Sequence, residues 1–411
     1  MRSHHIFVVC LLLIGASRAS AQEATATAAP QQQRIVGYYR YYDVYEGYPV
    51  TSVPAADLTH LIYAYVDISE QGQCVTADRW ADTQIPYPGD RPNERLKGNI
   101  KQLQLLRQDF PELKILMSIG GWERSARFSQ VALTRTARIR FANSCVAFMR
   151  QYGFDGIDVD WRFPVSGGAA DGLPEDVENY PLLVAELRGQ LDYWSGQDSR
   201  RYLLTMSAPA SPLLFDHYRF PLLLPSVDWF NLLSYGFQGD WSEVASHHAP
   251  LRSNARDPRG EQVQQLYNVA GAVGAYLDQG IPADRLVVGI GFFAQTWQNV
   301  RDNGRFGLYA PAGGVPEGTR PGGLLYYRDL APLLDSRDYI KYFDDEALAA
   351  WMYSPAERVA ISYEDPVSVA YKVAYVRQMN LGGVALWELS FDDANQTLTT
   401  AVAQAFALQT R

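Results

Sequence analysis

The sequence has few cysteines, no long apolar stretches and no clusters of basic residues. Only three of its 411 residues are cysteine. Its N-terminal apolar stretch covers eleven residues, 6–16, whereas a helix needs about 20 to cross a bilayer. The 36 Lys and Arg residues are scattered and outnumbered by 45 Asp and Glu residues, giving a net charge of −9. We therefore expect neither a membrane span nor a nucleic-acid partner.

The first 21 residues are typical of an export signal. Arg2 precedes the apolar stretch, and the small residues Ala19-Ser20-Ala21 form a cleavage site. Residues 22–33, rich in Ala, Thr and Gln, would then form a flexible leader. An apolar content of 47% indicates that the rest folds into a globular protein. We expect a soluble, secreted product with no membrane attachment after signal cleavage.

Two cysteines, Cys74 and Cys145, lie outside the predicted export signal. An oxidising compartment permits them to form a disulfide, which would contribute roughly 4 kcal/mol for a loop of this length. The alternative is two unpaired apolar side chains, since Cys145 falls on the buried stripe of a predicted helix. The sequence leaves both possibilities open.

From Arg34 onward, apolar runs alternate with amphipathic helical segments. Eight runs predict buried parallel strands, and these are residues 35–39, 58–65, 113–118, 156–161, 202–208, 229–235, 286–293 and 383–389. Eight strands with crossover helices predict an α/β fold, a (β/α)8 TIM barrel with active-site residues at the C-terminal strand ends.

One connection is too long for a simple crossover. Residues 296–365, rich in Gly, Pro and Tyr, separate the seventh strand from the next helix and contain strand-like pieces. We interpret them as a small α+β insertion domain on the barrel's top face. The barrel itself would then comprise residues 34–295 and 366–411.

Charged residues alternate at the end of the predicted fourth strand. Because strand side chains alternate between faces, Asp158, Asp160 and Arg162 point into the barrel mouth, while Val159 and Trp161 pack against outer helices. A single aspartate at a strand end is usually a helix cap or a loop hydrogen bond. Two in alternation favour a functional site.

This charged row and four further segments match one family's motifs in order along the chain. The four are Ser118-Ile119-Gly120-Gly121-Trp122, Leu233-Ser234-Tyr235, Ser362-Tyr363-Glu364-Asp365 with Ser368, and Gly382-Gly383-Val384-Ala385-Leu386-Trp387. The row 155–162 resembles Asp-Gly-x-Asp-x-Asp-x-Glu, the signature of glycoside hydrolase family 18, the chitinase family. The resemblance extends over residues 34–393 and implies the same barrel.

The resemblance also implies catalytic roles, and the sequence departs from two of them. The family's final Glu is the general acid, and the substrate's own acetamide attacks the anomeric carbon. Here that position is Arg162, which cannot donate a proton near neutral pH. The sixth-strand Asp of the family is Gly236. Asp158, Asp160 and Tyr235 occupy retained family positions.

Three aromatic residues at predicted strand ends are candidates for stacking on sugar rings. They are Tyr38, Trp122 and Trp387, and in the family Trp387 would form the floor of the deepest sugar subsite. The alternative is that these side chains pack the barrel top and the insertion domain.

The sequence thus predicts a secreted, chitinase-like protein that binds chitin or N-acetylglucosamine oligosaccharides without hydrolysis. One alternative is a weak or redirected glycoside hydrolase that uses another acid, such as Glu123. A second alternative is a scaffold for a protein partner, of the growth-factor or inhibitor type. No cofactor and no metal are expected. The sequence Asn395-Gln396-Thr397 fits a glycosylation sequon.

Overall fold

The computed structural model describes residues 33–407, so the predicted export signal and residues 22–32 of the predicted leader lie outside the described residues. The strands of the described part are β1 (Arg34–Arg40), β2 (His60–Ile68), β3 (Cys74–Thr76), β4 (Lys114–Gly120), β5 (Gly156–Asp160), β6 (Leu203–Pro209), β7 (Trp229–Leu233), β8 (Leu286–Gly291), β9 (Phe293–Trp297), β10 (Leu324–Tyr326), β11 (Ile340–Asp344), β12 (Ala349–Ser354), β13 (Val359–Tyr363) and β14 (Gly383–Trp387).

The α-helices of the same part lie mainly between the parallel strands. They are α1 (Arg79–Thr83), α2 (Gly98–Asp109), α3 (Phe128–Leu133), α4 (Arg135–Tyr152), α5 (Asp176–Gln197), α6 (Phe220–Leu223), α7 (Glu261–Leu266), α8 (Val269–Asp278), α9 (Tyr327–Asp335), α10 (Pro366–Gln378) and α11 (Thr397–Ala407). Between residues 33 and 407, no helix combines the length and apolarity needed to cross a membrane.

Eight parallel strands close into a barrel. Their order is β1, β2, β4, β5, β6, β7, β8 and β14, and β14 pairs again with β1. The short strand β3 adds an antiparallel partner to β2. The predicted (β/α)8 TIM barrel is therefore confirmed. Four strands end earlier than predicted, at Asp160, Leu233, Gly291 and Trp387, because the residues that follow no longer pair with a neighbouring barrel strand.

The barrel strands are buried on both faces. On β4, Leu116 faces the barrel interior with Ile62 and Trp229. Its neighbours Ile115 and Met117 belong to the larger core that strands and helices share. Both faces thus exclude water, which explains why each strand reads as a continuous apolar run instead of an alternating one.

A second sheet, of five antiparallel strands, is inserted after β8. Its order is β10, β9, β13, β12 and β11. Its first strand in the chain, β9, starts at Phe293, which pairs with Tyr326. The predicted border of the insertion at residue 296 therefore falls inside β9. The apolar run 286–293 gave no sign of this change of sheet, because both sheets bury apolar side chains.

The two cysteines outside the predicted export signal are joined by a disulfide. Cys74 begins β3, and Cys145 lies on the buried face of α4, with 4.9 Å between their Cα atoms. Helix α4 begins after Thr134, whose side chain accepts a hydrogen bond from the Ala137 N–H, and ends at Gly153, whose φ of 82° turns the chain toward β5. The disulfide therefore ties the edge strand β3 to an outer helix.

Removing this disulfide should destabilise the fold. The closed loop has a sequence separation of 71 residues, so the C74A/C145A variant should lose about 4 kcal/mol of unfolding free energy. Urea denaturation measures the difference. Unmutated protein in a reducing agent is the matched control, because it opens the loop without changing a side chain. Identical midpoints in all three samples would contradict this role for the disulfide.

Candidate functional site

The candidate site lies where β5 reaches the barrel mouth. Asp158 and Asp160 are completely buried among the barrel strands. The residues between and after them face outward, since Val159 belongs to the outer core and Trp161 stacks on Phe128 with ring centroids 5.1 Å apart. A strand buried on its outer face by helices therefore directs its carboxylates inward.

Asp158 accepts hydrogen bonds from three other strands of the barrel, β4, β6 and β7. One carboxylate oxygen accepts from the Ser118 hydroxyl at 2.7 Å, and the other accepts from the Thr205 hydroxyl at 2.6 Å and the Asn231 amide at 3.2 Å. Burial, followed by the negative charge of Asp160, raises the pKa of Asp158 to about 6. The side chain is therefore held at the centre of the barrel by a complete set of donors.

Asp160 is engaged by Arg162 in a bidentate ion pair. Arg162 donates from Nε to Asp160 Oδ1 at 2.7 Å and from Nη2 to Asp160 Oδ2 at 2.8 Å. The Tyr65 hydroxyl donates to Oδ2 as well, at 3.0 Å. Burial is the largest single influence and lowers the pKa of Arg162, but the charge of Asp160, its hydrogen bonds and the nearby phenols of Tyr65 and Tyr235 together raise that pKa well above its usual value. Arg162 is therefore a permanent cation locked onto the inward carboxylate.

The guanidinium of Arg162 also faces two aromatic residues of the mouth. Its central carbon lies 5.3 Å from the centroid of the Trp387 ring, within cation–π range. The Tyr235 hydroxyl lies beside the same guanidinium. Burial raises the pKa of Tyr235, and Arg162 opposes that rise. The Arg162 guanidinium therefore lies close to both the Tyr235 hydroxyl and the Trp387 ring at the barrel mouth.

The three candidate stacking residues differ in exposure. Tyr38 is only 3% exposed, and its ring packs edge-on against Trp387 with centroids 5.4 Å apart. Trp387 is half-buried and also contacts Tyr65, with centroids 6.3 Å apart. Trp122 is 51% exposed. Tyr38 is thus a buried side chain that packs against the Trp387 ring, whereas about half of the Trp122 side chain is accessible to solvent.

Gly236 leaves room at the mouth. Its φ is 66°, and a Cβ placed on it would meet no atom within 4 Å. Aspartate is among the residues that tolerate this left-handed conformation best. Glu123, the candidate replacement acid, is exposed, and within residues 33–407 it makes no hydrogen bond to Asp160 or Arg162.

A second buried ion cluster includes Glu388, the residue after Trp387 in the chain, and the sequence did not indicate it. Arg40 Nη2 lies 2.7 Å from Asp43 Oδ1 and 3.0 Å from Glu388 Oε1. Asp43 and Glu388 are fully buried, and burial raises the pKa of both. The Ser390 hydroxyl donates to Glu388. These contacts fix the chain immediately after Trp387.

Sequence reasoning missed the donors that surround the two aspartates, Tyr65, Ser118, Thr205 and Asn231. A signal for the last three exists, because each is a polar residue inside an otherwise apolar buried strand. Such a residue needs a hydrogen-bond partner in the barrel. Tyr65 carried no such signal. Within the described residues, no group of three His, Cys, Asp or Glu side chains could hold a metal ion.

The mouth therefore offers hydrogen-bond donors and aromatic faces. Its most prominent charged group, Arg162, does not release a proton near neutral pH. The protonated form of Asp158 is accessible near pH 6, but this side chain is sealed from solvent by its neighbours. Chemically, the arrangement can stack on a ring and hydrogen-bond to hydroxyl or amide groups.

Comparison with known proteins gives consistent similarities. Residues 34–392 match the sequence profile of "Glycosyl hydrolases family 18". Chitinase A1 of Niallia circulans is 36% identical over 92% of this chain and 59% of that protein, so the chain spans about three fifths of this relative. Chitinase 1 of Aphanocladium album is 30% identical, over 86% of this chain and 80% of its own.

Two solved structures extend the similarity to three dimensions. Chitinase ChiA74 from Bacillus thuringiensis superposes with a TM-score of 0.85 at 29% identity, covering 92% of this chain and 70% of its own. The Ostrinia furnacalis Group IV chitinase, solved in complex with allosamidin, gives a TM-score of 0.79 at 28% identity, covering 92% and 99%.

Replacing Asp158 by asparagine should remove a pH dependence of folding. An aspartate ionises near pH 3.8 in the unfolded chain, but the pKa of Asp158 in the folded protein is about 6. The stability that the bound proton contributes is complete below about pH 4 and is lost as the pH rises through about 6, by up to about 3 kcal/mol.

We therefore expect the unfolding free energy of the wild type to fall, relative to D158N, as the pH rises across this window. Urea denaturation at a series of pH values measures it. The exposed Asp171→Asn variant controls for the loss of one charge. A constant difference between wild type and D158N throughout the window would contradict the raised pKa.

Proposed function

Because this chain belongs to glycosyl hydrolases family 18, we propose that its barrel mouth binds chitin or N-acetylglucosamine oligosaccharides and leaves them intact. The named relatives are chitinases, which supports this class of ligand. The observation that carries the proposal is the bidentate ion pair between Arg162 and Asp160.

Hydrolysis by the family's mechanism would need a general acid. We assign Arg162 to the position of the family's catalytic Glu. Loss of a general acid typically costs 10²- to 10⁴-fold in rate, or about 3 to 5 kcal/mol of barrier. Arg162 also holds both oxygens of Asp160, the group expected to turn toward the acetamide N–H. Asp160 can make that turn only by leaving a buried cation.

The second departure acts on the same step. Gly236 stands where we assign the sixth-strand Asp, so no carboxylate there orients the acetamide or the acid. Tyr235 is retained, and its hydroxyl is available to the acetamide carbonyl. Binding groups are therefore kept, while the groups that move a proton are lost.

The aromatic residues supply the binding surface. Trp387 packs against Tyr38, and the ion pair of Glu388 with Arg40 fixes the next residue of the chain, which supports a pre-positioned ring. Pyranose rings stack on such faces through dispersion and C–H contacts. We extend the proposal to location, with residues 1–21 acting as an export signal that places the protein outside the cell.

The competing function is a weak chitinase. It is favoured by the names of the relatives, which are chitinases, and by exposed Glu123 beside Trp122 as a candidate acid. The two functions differ in whether product appears.

N-acetylglucosamine hexamer should bind the wild type with no product formed. The Trp387→Ala and Trp122→Ala variants should each bind about tenfold more weakly, because each loses one stacking face. Isothermal titration calorimetry measures the affinity, and chromatography of the same sample detects cleavage. The control is Tyr193→Ala, which removes an aromatic residue about as exposed as Trp122 near the C-terminal end of α5. It should bind like the wild type.

Two results would count against this function. Absence of heat with the hexamer would refute binding. Release of shorter sugars, abolished in the Asp160→Ala variant, would instead establish the weak chitinase.

Restoring both lost carboxylates should restore turnover cooperatively. On a fluorogenic chitobioside, R162E/G236D should exceed the product of the two single-variant effects by about tenfold or more, because both groups act on one proton and one acetamide. The open space at Gly236 admits the new side chain.

The matched control for this cycle is R162Q/G236D, which removes the cation but supplies no proton donor. It should stay inactive. Strict independence of the two single changes, or equal activity in the Gln control, would show that a missing general acid is not the cause.

A further inference from the structure

A separate cavity of about 130 Å³ opens on the insertion side of the molecule. It is formed by the loop that contains Phe306 and Tyr309, by Tyr342 of β11, and by the segment of Arg256 that follows β7. None of the residues assigned above to the barrel mouth lines it. We call it the aromatic pocket.

Aromatic rings form the walls of the aromatic pocket. The rings of Phe306 and Tyr342 pack against each other, with centroids 5.6 Å apart at 44°, so together they form one aromatic wall. Tyr309, only 8% exposed, lies deeper in the lining. These walls offer π faces to a ring-shaped ligand.

The wall that carries Phe306 is rigid. Trp351 Nε1 donates to the Phe306 carbonyl at 2.8 Å, and Asn303 Nδ2 donates to the Leu308 carbonyl at 2.9 Å. Phe306 and Tyr309 both have positive φ, 53° and 62°, which is costly for bulky residues. The fold therefore holds two strained aromatic residues at one cavity, a feature typical of binding sites.

Cationic side chains also line the aromatic pocket. Arg256 lies 3.6 Å from Glu346, a loose and exposed pair. Arg305 is exposed, and among residues 33–407 no carboxylate forms an ion pair with its guanidinium. The pocket thus joins apolar faces to an unneutralised positive charge in a chain whose net charge is −9.

The size of the aromatic pocket limits its ligand. About 130 Å³ corresponds to roughly four water molecules, well below the volume that a drug-sized ligand fills. One six-membered ring with one substituent fits, and an oligosaccharide does not. We propose that the aromatic pocket binds a six-membered ring that carries a carboxylate, with the ring in the cavity against the aromatic wall of Phe306 and Tyr342 and the carboxylate on Arg305.

Ligand-observed NMR titrations test this site with four probes. Glucuronate and benzoate each place a carboxylate on a six-membered ring, one a sugar and one aromatic, and glucose and benzyl alcohol are their uncharged counterparts. We expect at least one carboxylate to bind and its uncharged counterpart to bind about fivefold more weakly or not at all. Which carboxylate binds identifies the ring type.

Two exposed arginines of the same loop give a matched pair of variants. Arg305→Gln should weaken the binding carboxylate about fivefold, whereas Arg301→Gln, outside the pocket lining, should change it by less than about twofold. No saturation transfer to either carboxylate, equal binding of a carboxylate and its uncharged counterpart, or equal effects of the two variants would overturn the proposal. So would displacement of the probe by N-acetylglucosamine hexamer, because the probe would then occupy the barrel mouth.

Discussion

The ion pair between Asp160 and Arg162 is the constraint on which the barrel mouth depends. The completely buried carboxylate of Asp160 is stabilised by a charged partner, Arg162, and by a hydrogen bond from Tyr65. Removing one member of such a buried pair typically costs about 3 to 5 kcal/mol, because the other charge is left uncompensated. The same guanidinium packs over Trp387. Stability and the character of the cleft therefore depend on one side chain.

The barrel topology explains why so many polar groups meet at this point. Register places Ser118 of β4 and Thr205 of β6 on either side of Asp158 of β5. Asn231 reaches it from β7. A closed sheet turns these sequentially distant residues into one ring of donors, and the surrounding helices seal it from water. The charge that remains at the mouth is set by Asp160 and Arg162.

The fold was largely predictable, because the sequence of a (β/α)8 barrel contains eight apolar strand segments separated by amphipathic helical segments. The inward direction of Asp158 and Asp160 followed from strand alternation alone. Tyr65 did not, because its contact with Asp160 depends on the geometry of two strands that are not adjacent in the barrel. The partnership of Asp43 and Glu388 also joins residues far apart in sequence. The spacing of Cys74 and Cys145 leaves their pairing open for the same reason, because spacing along the chain does not give distance.

The attachment of the inserted sheet has a mechanical consequence. Phe292 alone separates β8 from β9, and its N–H and carbonyl are both bonded, to Trp387 and Tyr327. On the return, buried Glu364 pairs with Lys372 of α10, directly after β13 ends. Neither connection has slack for a hinge. The inserted sheet is therefore coupled to the barrel at both of its connections, and a relative motion of the two would have to break these backbone hydrogen bonds or the buried pair of Glu364 and Lys372.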